Sequence, residues 1–233
     1  MEKIETTIKE NQPAPPPTAC RRCGSLTAPK FITLLGWRQQ DHCDSCSVII
    51  AEERERRETE THKKMTIETY LERSGIVRGI LARMTFETFD NSHKGKAYEI
   101  VKEYAEGFGR ETTSGLMLYG KAGSGKTHLA VAIARHIIEQ KQIQVRFARV
   151  VDLLAEIRKT FNENEQYRTE NESDLIQRYA SAPLLIIDDL GAEKTTDWVR
   201  QILYQIIDER WIEQKPIIVT SNLNLEELEA RFE

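Results

Sequence analysis

Residues 115 to 130 read GLMLYGKAGSGKTHLA, and this stretch constrains the fold more tightly than any other in the chain. Leu116, Met117, Leu118 and Tyr119 form a short apolar run suited to a buried strand. The octet Gly120-Lys121-Ala122-Gly123-Ser124-Gly125-Lys126-Thr127 follows it and fits the G-x-x-x-x-G-K-[ST] pattern of a P-loop. Beyond the octet, Leu129, Ala130, Ile133, Ile137 and Ile138 recur at helical spacing. A strand that enters a glycine-rich turn and leaves as a helix is the context this motif requires. Its glycines let backbone N–H groups curl around phosphate oxygens, and the helix N-terminus adds a positive dipole end. Lys126 can reach the β and γ phosphates, the Thr127 hydroxyl is placed to ligate magnesium, and His128 closes the candidate binding run. The segment predicts a nucleoside triphosphate site.

Two later segments supply what such a site needs for hydrolysis. PLLIIDDLG, residues 183 to 191, carries four consecutive apolar residues, as expected of a parallel strand buried on both faces. Asp188 and Asp189 emerge at its C-terminal end, where open α/β sheets bind ligands. This is a Walker B pattern: Asp188 is the expected partner of the magnesium on Thr127, and Asp189 is placed to orient or deprotonate the attacking water. Pro216 to Thr220 reads as a further strand ending in Ser221-Asn222, where Asn222 can contact the γ-phosphate or the water. Between these strands, Val199, Ile202, Leu203, Ile206 and Ile207 mark a helix over about 196 to 213. VRFARV, residues 145 to 150, adds another strand after the P-loop helix. Alternating strands and helices predict a doubly wound α/β parallel sheet flanked by helices.

The four cysteines stand apart from this region. Cys20-x-x-Cys23 and Cys43-x-x-Cys46 are separated by nineteen residues, within the spacing of a zinc site. Four thiolates close a tetrahedral shell with no open position, so the expected zinc is structural. The segment from Phe31 through Thr33 and Leu34 to Trp37 suits a β-hairpin, and the whole looks like a zinc ribbon. Free thiols or a redox pair are the alternatives. His42 adjoins a ligand and is expected at the surface. Arg21, Arg22, Lys30 and Arg38 are either phosphate contacts or ordinary surface charge.

Composition sets the boundaries. The chain has 233 residues, 30% of them charged and 39% hydrophobic, which suits one sizeable domain plus a small one. A net charge of −4 gives no global attraction to nucleic acid, so any DNA contact must come from a local patch. No apolar stretch approaches a membrane span, and MEKIETTIKENQ lacks the layout of a signal peptide. A cytoplasmic protein without a membrane role is expected. Residues 1–19 read as a proline-rich disordered arm, 20–50 as the zinc module, 51–85 as a charged helical linker, and 86–233 as the nucleotide-binding core.

Taken together, TFETFDN, LMLYGKAGSGKTHLAVAIA, LLIIDDLGAEKTTDW, IIDERW and IIVTSNLNLEEL resemble the DnaC/DnaI bacterial helicase loaders and their IstB-like relatives, which are AAA+ ATPases. The resemblance covers about residues 75 to 233, and a preceding zinc-binding domain is similar to the DnaI arrangement. It implies ATP with Mg2+ as ligands, Gly120 to Thr127 as Walker A, Asp188 and Asp189 as Walker B, and Asn222 as sensor 1. It also implies the replicative hexameric helicase and single-stranded DNA as partners, and a homo-oligomer in an AAA+ arrangement. The family's DNA contacts fall on the helical region after the second strand, here Asp152 to Phe161, with Arg158 and Lys159 as the basic candidates. The competing readings are an IstB-like transposition helper, and an adaptor that binds ATP structurally.

Two departures bear on turnover. The chain ends at LEARFE, before the segment that in the family carries the arginine finger, a fifth strand and the sensor 2 region. The P-loop strand is then expected at a sheet edge. Arginine fingers contribute on the order of three to five powers of ten in rate, so a fragment or shortened loader that binds ATP but hydrolyses it poorly alone is expected. Asp189 is also one methylene shorter than the Glu common among AAA+ enzymes.

Overall fold

The computed structural model describes residues 13–32, 35–90, 92, 95–160 and 171–232. The chain falls into two units, Met1–Lys63 and Lys64–Glu233. In the first, β1 (Thr18–Ala19) pairs antiparallel with β2 (Leu26–Thr27), and β3 (Lys30–Ile32) with β4 (Gly36–Arg38). The predicted hairpin is present, its strands braced by an edge-to-face contact of Phe31 and Trp37 at 5.4 Å; Thr33 and Leu34 lie outside the described residues. Helix α1 (Asp44–Ser74) starts here and ends in the second unit. Between Ala51 and Lys64 nearly every side chain is exposed, with Arg54 and Glu58 paired at 2.7 Å one turn apart, as a solvated charged helix requires. Among the described residues of this unit only Cys20, Thr27, Gly36 and Cys46 are buried. The described residues of the hairpins build no apolar core, so they need another source of stability.

The second unit is built on a four-stranded parallel sheet in the order β5-β8-β7-β6. Its strands are β5 (Leu116–Tyr119), β6 (Val145–Arg149), β7 (Leu184–Leu190) and β8 (Ile217–Ser221). The helices are α2 (Lys96–Gly107), α3 (Lys126–His136), α4 (Val150–Lys159), α5 (Glu172–Ala180), α6 (Asp197–Ile212) and α7 (Leu225–Phe232). Alternation along β7 divides the core. Leu184 and Ile186 pack with α2 and α3 on one face, whereas Leu185 and Ile187 pack with α4, α5 and α6 on the other. Each of these four fully buried side chains contributes about 1.5–3 kcal/mol, which is why the strand reads as an unbroken apolar run. Polar caps start the helices: Asn171 and Asp174 form a capping box on α5, and the Thr196 hydroxyl accepts the Val199 N–H on α6.

The P-loop strand β5 occupies one end of the described sheet, so the register brings β8, not β7, beside it. The aromatic-rich stretch before α2 reads in sequence as a connector, yet Ile76, Phe86 and Phe89 are buried in the core with α3. Ile67, Tyr70 and Leu71, from the last turns of α1, pack against the same cluster. No helix of the described residues is long and apolar enough to cross a membrane.

Candidate nucleotide and metal sites

The three strand tips β5, β7 and β8 converge on the P-loop. Gly120, Gly123 and Gly125 all take positive φ, at 144°, 81° and 87°, which lets the chain curl between β5 and α3. The first hydrogen bond of α3 runs from Leu129 N–H to the Gly125 carbonyl. The N–H groups of Lys126, Thr127 and His128 therefore have no partner within the helix and are free to meet an anion. Lys121, Ala122 and Ser124 form the outer turn of the loop, closed by Ser124 N–H to the Lys121 carbonyl at 3.3 Å. Lys126 Nζ is folded over the loop, donating to the Gly120 and Lys121 carbonyls at 2.8 and 3.0 Å and to Asn222 Oδ1 at 3.0 Å. Gly125, Lys126, Thr127, His128, Asp188, Asp189 and Asn222 share one cavity of about 520 Å³.

The Walker B strand is bulged where its carboxylates leave it. β7 and β8 shift register between Ile187 and Leu190, and Asp189 has a φ of 60°. A bulge re-aims side chains. Here Asp188 is buried under the P-loop, with its Oδ1 accepting from the Thr127 hydroxyl at 2.8 Å. Asp189 instead accepts from Asn222 Nδ2 at 2.9 Å. Lys126, Asn222 and Asp189 thus form one hydrogen-bonded chain across the cavity. A hydroxyl and a carboxylate in contact at the mouth of a positive-φ glycine loop are the donor set that a phosphate-bound magnesium takes.

The cysteine cluster is equally well assembled. Cys20 and Cys23 sit in the turn between β1 and β2, closed by Gly24 N–H to the Cys20 carbonyl at 2.9 Å. Cys43 precedes α1 and Cys46 lies in its first turn, so the second pair is held by a helix start. All four sulfurs are free and lie within 4.8 Å of one another, with Cys23 and Cys43 at 3.7 Å. A tetrahedron with Zn–S bonds of about 2.3 Å has edges of about 3.8 Å, so the residues fit zinc. Burial disfavours a thiolate at Cys20, but N–H groups at Cys23, Cys43 and Arg22 outweigh it and hold the pKa down to about 6. Cys46, in contact first with Cys43 and then with Cys23, is pushed up to about 12. Sulfurs packed this closely do not all ionise without a cation between them.

The chain matches the IstB-like ATP binding protein family over residues 40–233. It belongs to that family. The replicative helicase loader DnaC of Buchnera aphidicola subsp. Baizongia pistaciae is 31% identical over 201 residues, spanning 84% of this IstB-like chain and 76% of its own. The solved structure of the DnaC helicase loader superposes with a TM-score of 0.56 at 28% identity, covering 64% of this chain and 87% of that one. That of DnaI gives a TM-score of 0.50 at 28% identity, covering 61% and 73%. The α/β fold expected from the motifs is the AAA+ fold of these proteins.

Three contacts at this IstB-like site do not follow from patterns along the chain. Thr220 donates to Asp188 Oδ1 at 2.7 Å. Arg149, at the tip of β6, stands opposite Asp188 in the ladder and lines the cavity, paired with Asp152 at 2.8 Å. His128 turns its ring to the Thr85 carbonyl at 2.8 Å and packs edge-on against Phe89, tying the TFETF stretch to α3. All three depend on strand register or tertiary packing, which spacing along the chain does not encode. The basic pair on α4 is exposed, with Arg158 stacked over Trp198 at 4.7 Å, while Phe161 lies outside the described residues.

Proposed function

We propose that this chain is a replicative helicase loader, in which ATP at the P-loop switches its hold on a hexameric helicase and on single-stranded DNA. The observation that carries this reading is the 31% identity to a protein named replicative helicase loader, over 84% of this chain. The site geometry adds to it. Gly120 to His128 cradles the phosphates, and Lys126 exchanges its loop carbonyls for them. Thr127 and Asp188, already in contact, are the magnesium-binding pair. The ion, when bound, neutralises developing phosphate charge. Asp189 orients the attacking water. Asn222, bonded at once to Lys126 and Asp189, carries the state of the phosphate end to the carboxylate that holds the water.

Residues 20–50 form the zinc module in this reading, and Cys20, Cys23, Cys43 and Cys46 hold the ion, which folds a segment lacking a core of its own. That module grips the helicase. Arg158 and Lys159 contact DNA phosphates, an interaction that weakens with salt and tolerates any sequence. The test is a pull-down of a replicative helicase with wild type and Cys20→Ser. Loss of helicase binding with retained ATP binding is expected. Undiminished binding by the variant would refute the gripping role, and recovery of a transposase in place of a helicase would refute the loader.

A further inference from the structure

Thr220 is 1% exposed, on β8 directly before Ser221. Its hydroxyl donates to Asp188 Oδ1 at 2.7 Å and accepts the Asp189 N–H at 2.9 Å. A hydroxyl carries one proton, and an N–H can only donate, so the direction of both bonds is fixed. One side chain thereby holds the carboxylate of Asp188 and the backbone of Asp189. The bulge creates the need for it. Where β7 and β8 slip register, ladder bonds are interrupted, and Asp189 sits in a left-handed conformation that L side chains rarely adopt. Asp188 Oδ1 accepts from Thr127 as well. A magnesium ion on Thr127 would take a lone pair and leave that hydroxyl proton on Asp188. Thr220, enclosed in the sheet, is the second anchor of Asp188 and the one that also holds the Asp189 backbone.

We propose that Thr220 is a positioning residue for the divalent cation site: it sets the Asp188 carboxylate and the Asp189 bulge in the geometry that cation-bound nucleotide requires. This rests on reading the P-loop as a magnesium–nucleotide site. A purely structural threonine would lower stability without changing the demand for cation. Wild type, Thr220→Val and Thr220→Ser are therefore compared in the binding of a fluorescent ATP analogue, first in chelator and then across a magnesium titration. Amide exchange at residues 188–190 is followed in parallel. In Thr220→Val, the magnesium concentration for half-maximal binding should rise roughly tenfold or more, as expected for a lost hydrogen bond to a charged group. Exchange at Asp189 should accelerate, while affinity in chelator stays that of wild type. Thr220→Ser, which keeps the hydroxyl, should restore the magnesium requirement. Should Thr220→Val be unfolded by circular dichroism, Thr220→Cys, of similar size and a weaker donor, carries the same comparison. A folded valine or cysteine variant with the wild-type magnesium requirement overturns the proposal, as does a serine variant impaired as much as valine. Wild type that binds no analogue with magnesium would overturn the nucleotide site and this role together. Normal wild-type binding with an unchanged variant overturns the Thr220 role alone.

Discussion

Gly125 shows how much of the P-loop is decided by single atoms. Its φ of 87° is left-handed, and a Cβ there would lie 2.6 Å from Phe89 Cε2. The G-x-x-x-x-G-K-[ST] pattern marks this glycine in sequence, but not the reason it is required here, because Phe89 lies 36 residues earlier in what reads as a connector. Gly125→Ala should lose about 1–2 kcal/mol to the backbone alone, with displacement of Phe89 adding to it. Urea denaturation measures this, and an unchanged midpoint would contradict the close approach. Lys126, Thr127, Asp188, Asp189 and Asn222 are each tied to a local pattern at a strand end, and the structure brings these five candidates into one cavity. Thr220 and Arg149 are tied to no such pattern. Each meets Asp188 only through the order β5-β8-β7-β6, which no single segment specifies.

Among the elements, β7 was the easiest to find and α5 among the hardest. Leu184 to Ile187 announces burial on both faces, whereas α5 follows a segment outside the described residues and declares itself through its Asn171–Asp174 cap. The C-terminal end of α5 is tied to α6 by Arg210, 1% exposed. It donates to the carbonyls of Tyr179, Ala180 and Ala182 at 3.1, 2.9 and 2.7 Å, and to that of Pro216. Burial pulls its pKa down to about 10, which leaves it cationic at neutral pH against the negative end of α5. Arg210→Met should cost roughly 3 kcal/mol or more, since several buried carbonyls lose their donor together. Nucleotide affinity of the folded protein should not change, because Pro216 precedes β8 and Asn222 follows it, at opposite ends of the sheet. A loss of affinity equal to the loss of stability would contradict that separation. The hairpins of the first unit make the opposite case. Their described residues form no apolar core, so if the cysteine cluster holds them, one zinc per chain should be found by atomic absorption. Chelation should open residues 13–40 to protease while ATP binding persists; hairpins that stay protected without metal would contradict this dependence.

At the scale of the whole molecule, the sequence separates a small cysteine-bearing part from an α/β nucleotide-binding part, and the structure divides the chain between Lys63 and Lys64. Alternating charges predict a helical linker over 51–85, and α1 runs over Asp44–Ser74. The boundary of the larger unit was harder to read, because Ile67, Tyr70, Leu71 and Ile76 join its core from a stretch dominated by charged residues. Apolar residues that sparse give no periodic signal, and only the packing reveals which side they face. In the loading role proposed above, nucleotide at the P-loop governs delivery of a hexameric helicase to DNA. The most direct measurement is the amount of hexameric replicative helicase retained on closed circular single-stranded DNA, with ATP and either wild type or Lys126→Ala. Wild type should raise retention well above that of helicase alone, and Lys126→Ala, folded but without the ammonium proposed to meet the phosphates, should return it to that baseline. Equal retention with wild type, with the variant and with no added protein would contradict the central claim.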